Sequence, residues 1–276
     1  METGHPHNPA TKAFRELLTL LKHTELQFLE ERNQQDDIDI ADAYKNLLDI
    51  FAIGVDCYID NDAGNPHFTR IVSPWRKMGG DNAHALYDFA PLSGNRSYRV
   101  RGNRAGTAYI GMTLYGGESE DKIDVHANIN TSHLKMDVAG DFCVVISPKA
   151  QDDRAPVHLK SSGNTNGVIM RQYFLDDNTS FHSDFTIEIL DDNVAPQITG
   201  SETIARRITS LTRFIQGWSN MTPLPWPDQP EAYNQVCAPF NTGESTGHWS
   251  TPDNTHAFGF FKIADNEALV IKGYSP

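Results

Sequence analysis

The stretch DNAHALYDFAPLSGNRSYRVRGNRAGTAYIGMTLY, residues 81–115, decides the fold class of this chain. Within it Tyr98 and Val100 alternate with Arg99 and Arg101, so that apolar or aromatic residues take turns with charged ones. Successive side chains of a β-strand point to opposite sides, and strict alternation is therefore the pattern of a strand with one buried face. The pattern predicts a half-buried strand at this position.

A turn and a second strand are predicted next. Residues 103–106 read Asn-Arg-Ala-Gly, which is turn chemistry, and Gly106 is able to adopt a positive φ at little cost because glycine has no Cβ. The residues that follow alternate between two faces: one carries Ala108, Ile110, Met112 and Leu114, and the other carries Thr107, Tyr109, Thr113 and Tyr115. Since both faces contain large side chains, both need cover. The pattern predicts a sheet that packs against another layer.

Further short β patterns follow along the chain, separated by turn residues. They lie at residues 123–129, 134–138, 141–147, 168–175, 183–190, 256–263 and 268–272. Residues 148–167 are polar and irregular, which predicts a long loop. Many short strands with turns between them are typical of a β-sandwich or a jelly roll. We predict a mostly β chain, α+β overall, built on a jelly-roll-like β-sandwich.

Two amphipathic patterns at the N-terminus predict a helical hairpin packed onto the sandwich. The first begins at Pro9, a residue type favoured in the first helical turn, and runs to about residue 32. The second covers about residues 40–51. We therefore divide the chain into an N-terminal helical extension, residues 1–70, and a β-sandwich domain, residues 71–276.

A third helix is predicted at about residues 200–219, between the strands. Thr199 and Glu202 form a capping-box pattern at its start, and apolar residues recur at helical spacing up to Trp218. The pattern predicts a helix that covers one face or end of the sandwich. The proline-rich connection that follows, residues 221–230, excludes helix and is predicted to form a wall or lid over a pocket.

Composition limits the partners and the compartment. The chain has 36 acidic and 23 basic residues, a formal net charge of −13. We expect neither nucleic acid nor a membrane as its partner, because nucleic acid and anionic lipid both require a basic surface and no stretch is long and apolar enough to span a bilayer. No secretory signal pattern is present, and the three widely spaced cysteines predict free thiols. We expect a cytoplasmic protein.

The sequence contains no motif that clearly indicates catalysis or cofactor binding. Residues 243–247, GESTG, match the nucleophile-elbow pattern, but proline and short polar segments surround them where a strand and a helix are needed, so we expect a loop. No phosphate-binding loop or dinucleotide fingerprint occurs, and we predict no cofactor.

The eleven histidines raise the hypothesis of a metal site. His126 and His133 are placed to meet across a hairpin, with His158 or His182 as a third ligand. Surface histidines that lie near one another by chance are the simpler interpretation, since nothing in the spacing forces convergence. We predict no metal.

Arginines and tyrosines alternate on several predicted strands and give the best candidate for a binding site. The candidate substrate-binding residues are Tyr87, Tyr98, Arg101, Arg171 and Tyr173. A planar guanidinium inside an aromatic-lined sandwich is suited to hold a carboxylate, a sulfate or an enolate. The alternative interpretation is that these arginines face solvent and pair with some of the many acidic residues.

The chain resembles the twelve-fourteen family of bacterial domains of unknown function. The resemblance rests on DNAHALYDFAPL, SYRVRGNRAGTAYIGMTLYGG, DFCVVIS, VIMRQYF and the closing DNEALVI, in consistent order over residues 79–271. It implies a jelly-roll-like β-sandwich, and the resembling segments include the arginines and tyrosines of the candidate site. The family has no established activity, so the resemblance implies a fold and no reaction.

The chain departs from this family at two places. Relatives carry a tryptophan-containing segment before VIMRQYF, where this chain has RAPVHLKSSGNTN, residues 154–166, without tryptophan. Relatives also continue well beyond the EALVI segment, so the chain is expected to be either a shortened member or a truncated piece of a longer one.

Two functional hypotheses follow from these patterns. The first is a small-molecule enzyme, or an accessory enzyme, with an apolar pocket for a lipid-like or aromatic substrate. The second is a non-catalytic ligand-binding or assembly module. The partners we expect are a hydrophobic or anionic small molecule and further copies of the chain. A deep pocket with converging titratable groups would favour the enzyme, and an exposed apolar patch would favour the module.

Overall fold

The structure is a computed structural model that describes residues 7–27, 37–119, 122–149, 157–175, 182–191, 200–219, 230–241 and 249–272. The helices are α1 (Pro9–Leu26), α2 (Asp37–Tyr58) and α3 (Ser201–Ser219), with a short 3-10 helix at Pro230–Ala232. The strands are β1 (Thr69–Val72), β2 (Ala85–Pro91), β3 (Tyr98–Asn103), β4 (Tyr109–Ser119), β5 (Lys122–Asn130), β6 (Asp141–Ser147), β7 (Val157–Lys160), β8 (Thr165–Tyr173), β9 (Thr186–Ile189), β10 (Phe240–Asn241) and β11 (Thr255–His256).

Two sheets form the centre of the fold. The first has five strands in the order β1-β2-β8-β4-β5, and the second has four in the order β7-β6-β3-β9. Neighbouring strands are antiparallel, except that β6 and β7 are parallel. An apolar core of residues from both sheets fills the space between them. The prediction of a mostly β sandwich within an α+β chain is confirmed.

Both faces of β4 are buried, as its alternating pattern predicted. Ile110, Met112 and Leu114 belong to the core between the two sheets. Tyr115 points the other way and belongs to a second core, between the five-stranded sheet and the helices. The five-stranded sheet is therefore the middle layer, with the four-stranded sheet on one side and helices on the other.

The turn between β3 and β4 differs from its prediction. The two strands lie in different sheets, so the segment crosses between layers instead of forming a hairpin. Gly106 is able to take a positive φ at little cost, but in the structure Ala105 takes it, at 46°. The side chain of Asn103 accepts a hydrogen bond from the backbone N–H of Ala105 at 2.7 Å, and this Asx-type contact holds the turn in place of a glycine.

Three strand predictions and one loop prediction were wrong, because a segment becomes a strand only where a neighbouring strand offers free backbone groups. Residues 148–167 were predicted as loop, but they contain β7 and the start of β8. Residues 134–138 contribute one isolated bridge, between Met136 and Phe142. Residues 268–272 form no strand with any part of the chain that the structure describes, and of residues 256–263 only His256 lies in a strand.

The N-terminal helices pack on α3. At one end the Asn8 side chain donates a hydrogen bond to the Ser201 hydroxyl at 2.8 Å, which places the starts of α1 and α3 side by side. Asn8 also caps α1 by accepting from the N–H groups of Ala10 and Thr11. The helix α2 extends through Tyr58, beyond the predicted end near residue 51, and packs on α3, β1 and β2.

The covering role predicted for α3 is confirmed. Its buried residues recur at helical spacing and join the core on the outer side of the five-stranded sheet; they are Ile208, Leu211, Phe214, Ile215 and Trp218. Gly54 of α2 lets the two helices approach closely, because a Cβ there would lie 2.4 Å from Cδ1 of Leu211. The capping residue predicted at position 199 and residues 221–229 of the predicted proline-rich lid lie outside the described residues.

Candidate functional site

Three of the five predicted site residues meet on the helix-facing side of the five-stranded sheet. Tyr87 of β2 lies directly opposite Arg171 of β8 in the strand register. Tyr173 lies two residues further along β8 and so points to the same side. The hydroxyl oxygens of Tyr87 and Tyr173 are 3.4 Å apart. Arg171 is only 3% exposed, which is unusual for an arginine.

The guanidinium of Arg171 is bound by hydroxyl groups, a carbonyl and aromatic rings. It donates to the Thr113 hydroxyl at 3.2 Å, to the Tyr115 hydroxyl at 2.8 Å and to the carbonyl of Trp249 at 2.6 Å. Its central carbon lies 4.9 Å from the centre of the Tyr87 ring. Among the described residues no carboxylate forms an ion pair with it. It is a buried cation held by neutral groups.

Each group that accepts a hydrogen bond from Arg171 also has another partner. The Trp249 carbonyl accepts from the Tyr115 hydroxyl at 3.1 Å. That hydroxyl also bonds to the carbonyl of Ser250 at 2.6 Å, and the Thr113 hydroxyl donates to Asn128 at 2.7 Å. Removal of the guanidinium would leave each group with one of these other hydrogen bonds, but the Thr113 and Tyr115 oxygens, which are donors in those bonds, would lose the N–H groups that they accept from. Arg171 is thus a donor to two hydroxyl oxygens and to one carbonyl, and all three of these acceptors are uncharged.

Residues 249–254, which we name the cover segment, lie across this side of the sheet. The Trp249 ring stacks on Phe89 with ring centres 5.3 Å apart, and it packs against Phe214 and Trp218 of α3. The backbone of Trp249 has a φ of 50°, in the left-handed region that bulky residues rarely adopt. The bonds to its carbonyl and the ring contacts hold this strained residue in place.

The other end of the cover segment is fixed by polar side chains of the sheet. The Tyr109 hydroxyl donates to the Asp253 carboxylate, which also accepts from Asn130 at 3.0 Å and from Thr251 at 2.5 Å. Tyr173 accepts a hydrogen bond from Asn254 at 2.9 Å. The segment is therefore bound at both ends, through the Trp249 carbonyl at one and through two polar side chains at the other.

The ionisable groups of the site have pKa values far from neutral. Burial raises the pKa of Tyr109, Tyr115 and Tyr173, and the Asp253 carboxylate raises that of Tyr109 further. Burial alone would raise the pKa of Asp253, but hydrogen bonds from Thr251, Tyr109 and the neighbouring asparagines more than offset it and hold the pKa at about 2. At pH 7 the tyrosines are neutral and Asp253 is ionised.

The low pKa of Asp253 gives a prediction for acid stability. A carboxylate whose pKa is lower in the folded state stabilises the fold above its unfolded pKa, about 3.9, and this contribution is lost as the pH falls towards 2. We expect Asp253→Asn to remove that part of the acid sensitivity. Urea unfolding of both proteins at pH 5 and pH 3 measures it, and the wild type should lose more stability than the variant. An equal loss in both would contradict the prediction.

The other two predicted site residues lie elsewhere. Tyr98 is buried between the sheets, where its hydroxyl accepts from the Ser93 N–H and donates to the Ala63 carbonyl, both at 2.9 Å. Arg101 lies on the outer side of the four-stranded sheet and pairs with Glu188 at 2.8 Å. For Arg101 the structure agrees with the alternative interpretation, in which the arginine faces solvent and pairs with an acidic residue.

Some residues of the site were not among the predicted ones. Tyr115 and Thr113 lie on the face of β4 that was predicted to need cover, so the alternation already indicated their direction. Trp249 and Asp253 belong to a segment without strand or helix periodicity, and nothing in its local sequence places it on this sheet.

The remaining candidate motifs do not add to this site. The GESTG stretch, residues 243–247, lies outside the described residues. His126 contacts the Thr165 hydroxyl at 2.8 Å, His133 contacts Asn130 at 2.9 Å, and His158 contacts Ser147 at 3.0 Å. Within the described ranges no three His, Cys, Asp or Glu residues are grouped so as to hold a metal ion. The metal hypothesis finds no site there.

A groove of about 520 Å³ lies on the surface between α1 and α3, away from Arg171. It is open to solvent, and polar residues such as Lys12, His23 and Gln216 line it mostly with the apolar parts of their side chains. The described helices include none that is long and apolar enough to cross a bilayer.

Comparisons with known proteins relate the fold to a solved structure. An uncharacterised protein from Burkholderia cenocepacia superposes with a TM-score of 0.68 at 23% sequence identity, over 76% of this chain and 60% of that protein. At this identity the likeness concerns the fold alone, and the chain spans about three fifths of that protein's length. A protein from Vibrio parahaemolyticus aligns over 66% of this chain and 43% of its own, at 15% identity and a TM-score of 0.30, too low for comparison. No protein-family model and no curated protein matches the chain.

Proposed function

We propose that the protein is a non-catalytic binding module that holds a small anionic ligand, a carboxylate with an apolar or aromatic body, at Arg171. The observation that carries the proposal is a buried guanidinium that has no carboxylate partner among the described residues. A buried charge costs free energy unless it is paired, and here the groups that accept from it are neutral. A ligand carboxylate would supply the missing opposite charge.

The chemistry around Arg171 fits such a ligand. A guanidinium presents planar N–H donors that match the two oxygens of a carboxylate. The rings of Tyr87 and Tyr173, whose centres are 6.1 Å apart, offer an aromatic surface beside it for the apolar part of the ligand. Tyr109 and Tyr173 are half-buried, so this edge of the site is the side nearest to solvent.

Binding is favoured over catalysis because the ionisable groups of the site are poorly matched to proton transfer at neutral pH. A general acid or base works best with a pKa near the working pH. The tyrosines have raised pKa values and Asp253 has a pKa of about 2, so each shift moves the group away from neutral. These groups act as fixed donors and acceptors, which suits recognition.

The cover segment lies where the carboxylate of the proposed ligand would bind. The Trp249 carbonyl accepts the shortest hydrogen bond from Arg171, at 2.6 Å, and a ligand carboxylate would replace it. The segment must therefore shift when the ligand binds. The backbone strain at Trp249 lowers the free-energy cost of this shift. When the residue leaves its φ of 50°, the relief of strain offsets part of the free energy that is lost with its contacts.

A comparison of two arginine variants tests the proposal. Benzoate is the probe, benzamide is its neutral counterpart, and binding is measured by isothermal titration calorimetry. We expect benzoate but not benzamide to bind, and Arg171→Gln to weaken benzoate by about tenfold or more, as for a lost charge-assisted hydrogen bond. The matched control is Arg101→Gln, which removes an exposed guanidinium and should leave the affinity within about twofold. Equal affinities for the two variants, or no binding of benzoate to the wild type, would reject the proposal.

A second variant is expected to strengthen the binding of benzoate. Asn254→Ala removes the hydrogen bond between the cover segment and Tyr173 without touching Arg171. Because the segment then shifts at lower cost, we expect benzoate to bind about two- to tenfold more tightly, the value of one hydrogen bond of about 0.5–1.5 kcal/mol. Weaker binding would show that the segment supports the ligand instead of competing with it.

We further infer three finer assignments that accompany this function. They are membership of the twelve-fourteen family, the jelly-roll connectivity of the sandwich, and a cytoplasmic location. The sequence segments quoted above support the first two. Cys57, Cys143 and Cys237 are free thiols, which supports a reducing compartment.

A further inference from the structure

The hydroxyl groups of Tyr87 and Tyr173 carry a proton for which the described part of the chain provides no acceptor. Each tyrosine hydroxyl donates one hydrogen bond and also accepts. Tyr173 accepts from the Asn254 amide at 2.9 Å, and Tyr87 accepts from the Asn82 N–H at 3.4 Å. The contact between the two hydroxyl oxygens, also at 3.4 Å, uses one of their two protons. The other proton is available to a ligand.

This tyrosine pair lies beside Arg171 on the same side of the sheet. Tyr173 follows Arg171 by two residues on β8, a distance of about 6.6 Å along the strand. Tyr87 bridges the interval, since its ring centre is 4.9 Å from the central carbon of the guanidinium and its hydroxyl contacts that of Tyr173. A ligand with its carboxylate on Arg171 therefore has the two hydroxyl groups near the other end of its body.

The Tyr173 side chain is held in place and keeps its proton at neutral pH. The residue lies on a central strand, paired with Ala85 of β2 on one side and with Tyr109 of β4 on the other. The Tyr109 ring also contacts its ring edge to face, with centres 5.6 Å apart. Burial raises the pKa of the Tyr173 hydroxyl. A fixed, neutral hydroxyl of this kind discriminates strongly between ligands, because it loses its partner when the ligand cannot form a hydrogen bond.

We propose that Tyr173 selects, among the carboxylates that bind Arg171, those with a hydroxyl group at the end opposite the carboxylate. The inference rests on the proposed function, in which the cover segment shifts and takes Asn254 away from Tyr173. The Tyr173 oxygen then lacks a donor, while the tyrosine pair still has a proton to give. A hydroxyl group donates and accepts at once, so a single group on the ligand satisfies both needs. The ligand class is a para-hydroxy aromatic carboxylate.

The ratio of two affinities tests this selection. Isothermal titration calorimetry compares 4-hydroxybenzoate with benzoate, and the wild type should bind the hydroxylated ligand about two- to tenfold more tightly, as for one hydrogen bond. Tyr173→Phe should make the two affinities equal. Both ligands require the same shift of the cover segment, so the ratio does not depend on the cost of that shift. A preference for 4-hydroxybenzoate that survives in Tyr173→Phe would overturn the proposal.

A positional control needs no variant. The hydroxyl group of 2-hydroxybenzoate lies beside the carboxylate, so it stays near Arg171 and does not reach Tyr173. We expect the wild type to bind 2-hydroxybenzoate no more tightly than benzoate. Equal gains for the two hydroxybenzoates would contradict the position that we assign to the ligand hydroxyl.

Asn254→Ala is the matched control for Tyr173→Phe. It removes the same hydrogen bond of the cover segment but keeps the Tyr173 hydroxyl. Both ligands should bind this variant more tightly than the wild type, with their ratio unchanged. If the wild type binds 4-hydroxybenzoate and benzoate equally and Arg171→Gln weakens both, the selection by Tyr173 is wrong and the Arg171 site stands. If the wild type binds neither ligand, the selection and the proposed function both fail.

Discussion

Trp249→Ala is expected to lower the free energy of unfolding by about 3–5 kcal/mol, the usual range for removing a large buried aromatic side chain. The ring joins the middle sheet to the helical layer, since it stacks on Phe89 and contacts Phe214 and Trp218. Urea unfolding followed by circular dichroism measures the change. Leu175→Ala, at an exposed residue, is the control and should change stability by less than about 0.5 kcal/mol.

Trp249→Gly separates the backbone strain from the lost ring contacts. Both variants lose the ring, but alanine keeps a Cβ at a φ of 50°, which costs about 1–2 kcal/mol, and glycine does not. Glycine in turn loses about 0.5–1 kcal/mol through the greater freedom of its unfolded chain. We expect Trp249→Gly to be more stable than Trp249→Ala by about 0.5–1 kcal/mol. A glycine variant that is the less stable of the two would mean that Trp249 stores no strain.

Gly94→Ala is the second substitution with a large expected effect. A Cβ at this position, in the connection between β2 and β3, would lie 1.7 Å from the carbonyl oxygen of Ser162. That oxygen belongs to the backbone and accepts a hydrogen bond from the Thr165 N–H, so it cannot yield as a flexible side chain would. We expect a loss of about 3 kcal/mol or more, the upper end for an overpacked site.

The matched control for this substitution is Gly200→Ala. A Cβ there meets no atom within 4 Å, so stability should change by less than about 0.5 kcal/mol. Both variants add the same methyl group, and their difference in urea unfolding therefore measures the contact with Ser162. If Gly94→Ala is as stable as the control, the turn at residues 161–165 moves aside at little cost.

The sequence by itself determined the features that depend on local periodicity. The alternation in β4 predicted a strand with two buried faces, and the structure places Met112 in one core and Tyr115 in the other. The helical spacing of residues 204–218 predicted a covering helix, which is α3. These predictions hold because the direction of a side chain follows from its position along a strand or helix, whatever the neighbouring element is.

Only the tertiary structure decided which strands are neighbours, and with this the site. Arg101 and Arg171 both stand on strands among tyrosines, and no local signal distinguishes them. Arg101 belongs to the outer side of the four-stranded sheet, whereas Arg171 lies in the middle of the five-stranded sheet under residues 249–254. Strand order and the path of a segment without periodicity depend on contacts between residues distant in sequence, which local patterns do not encode.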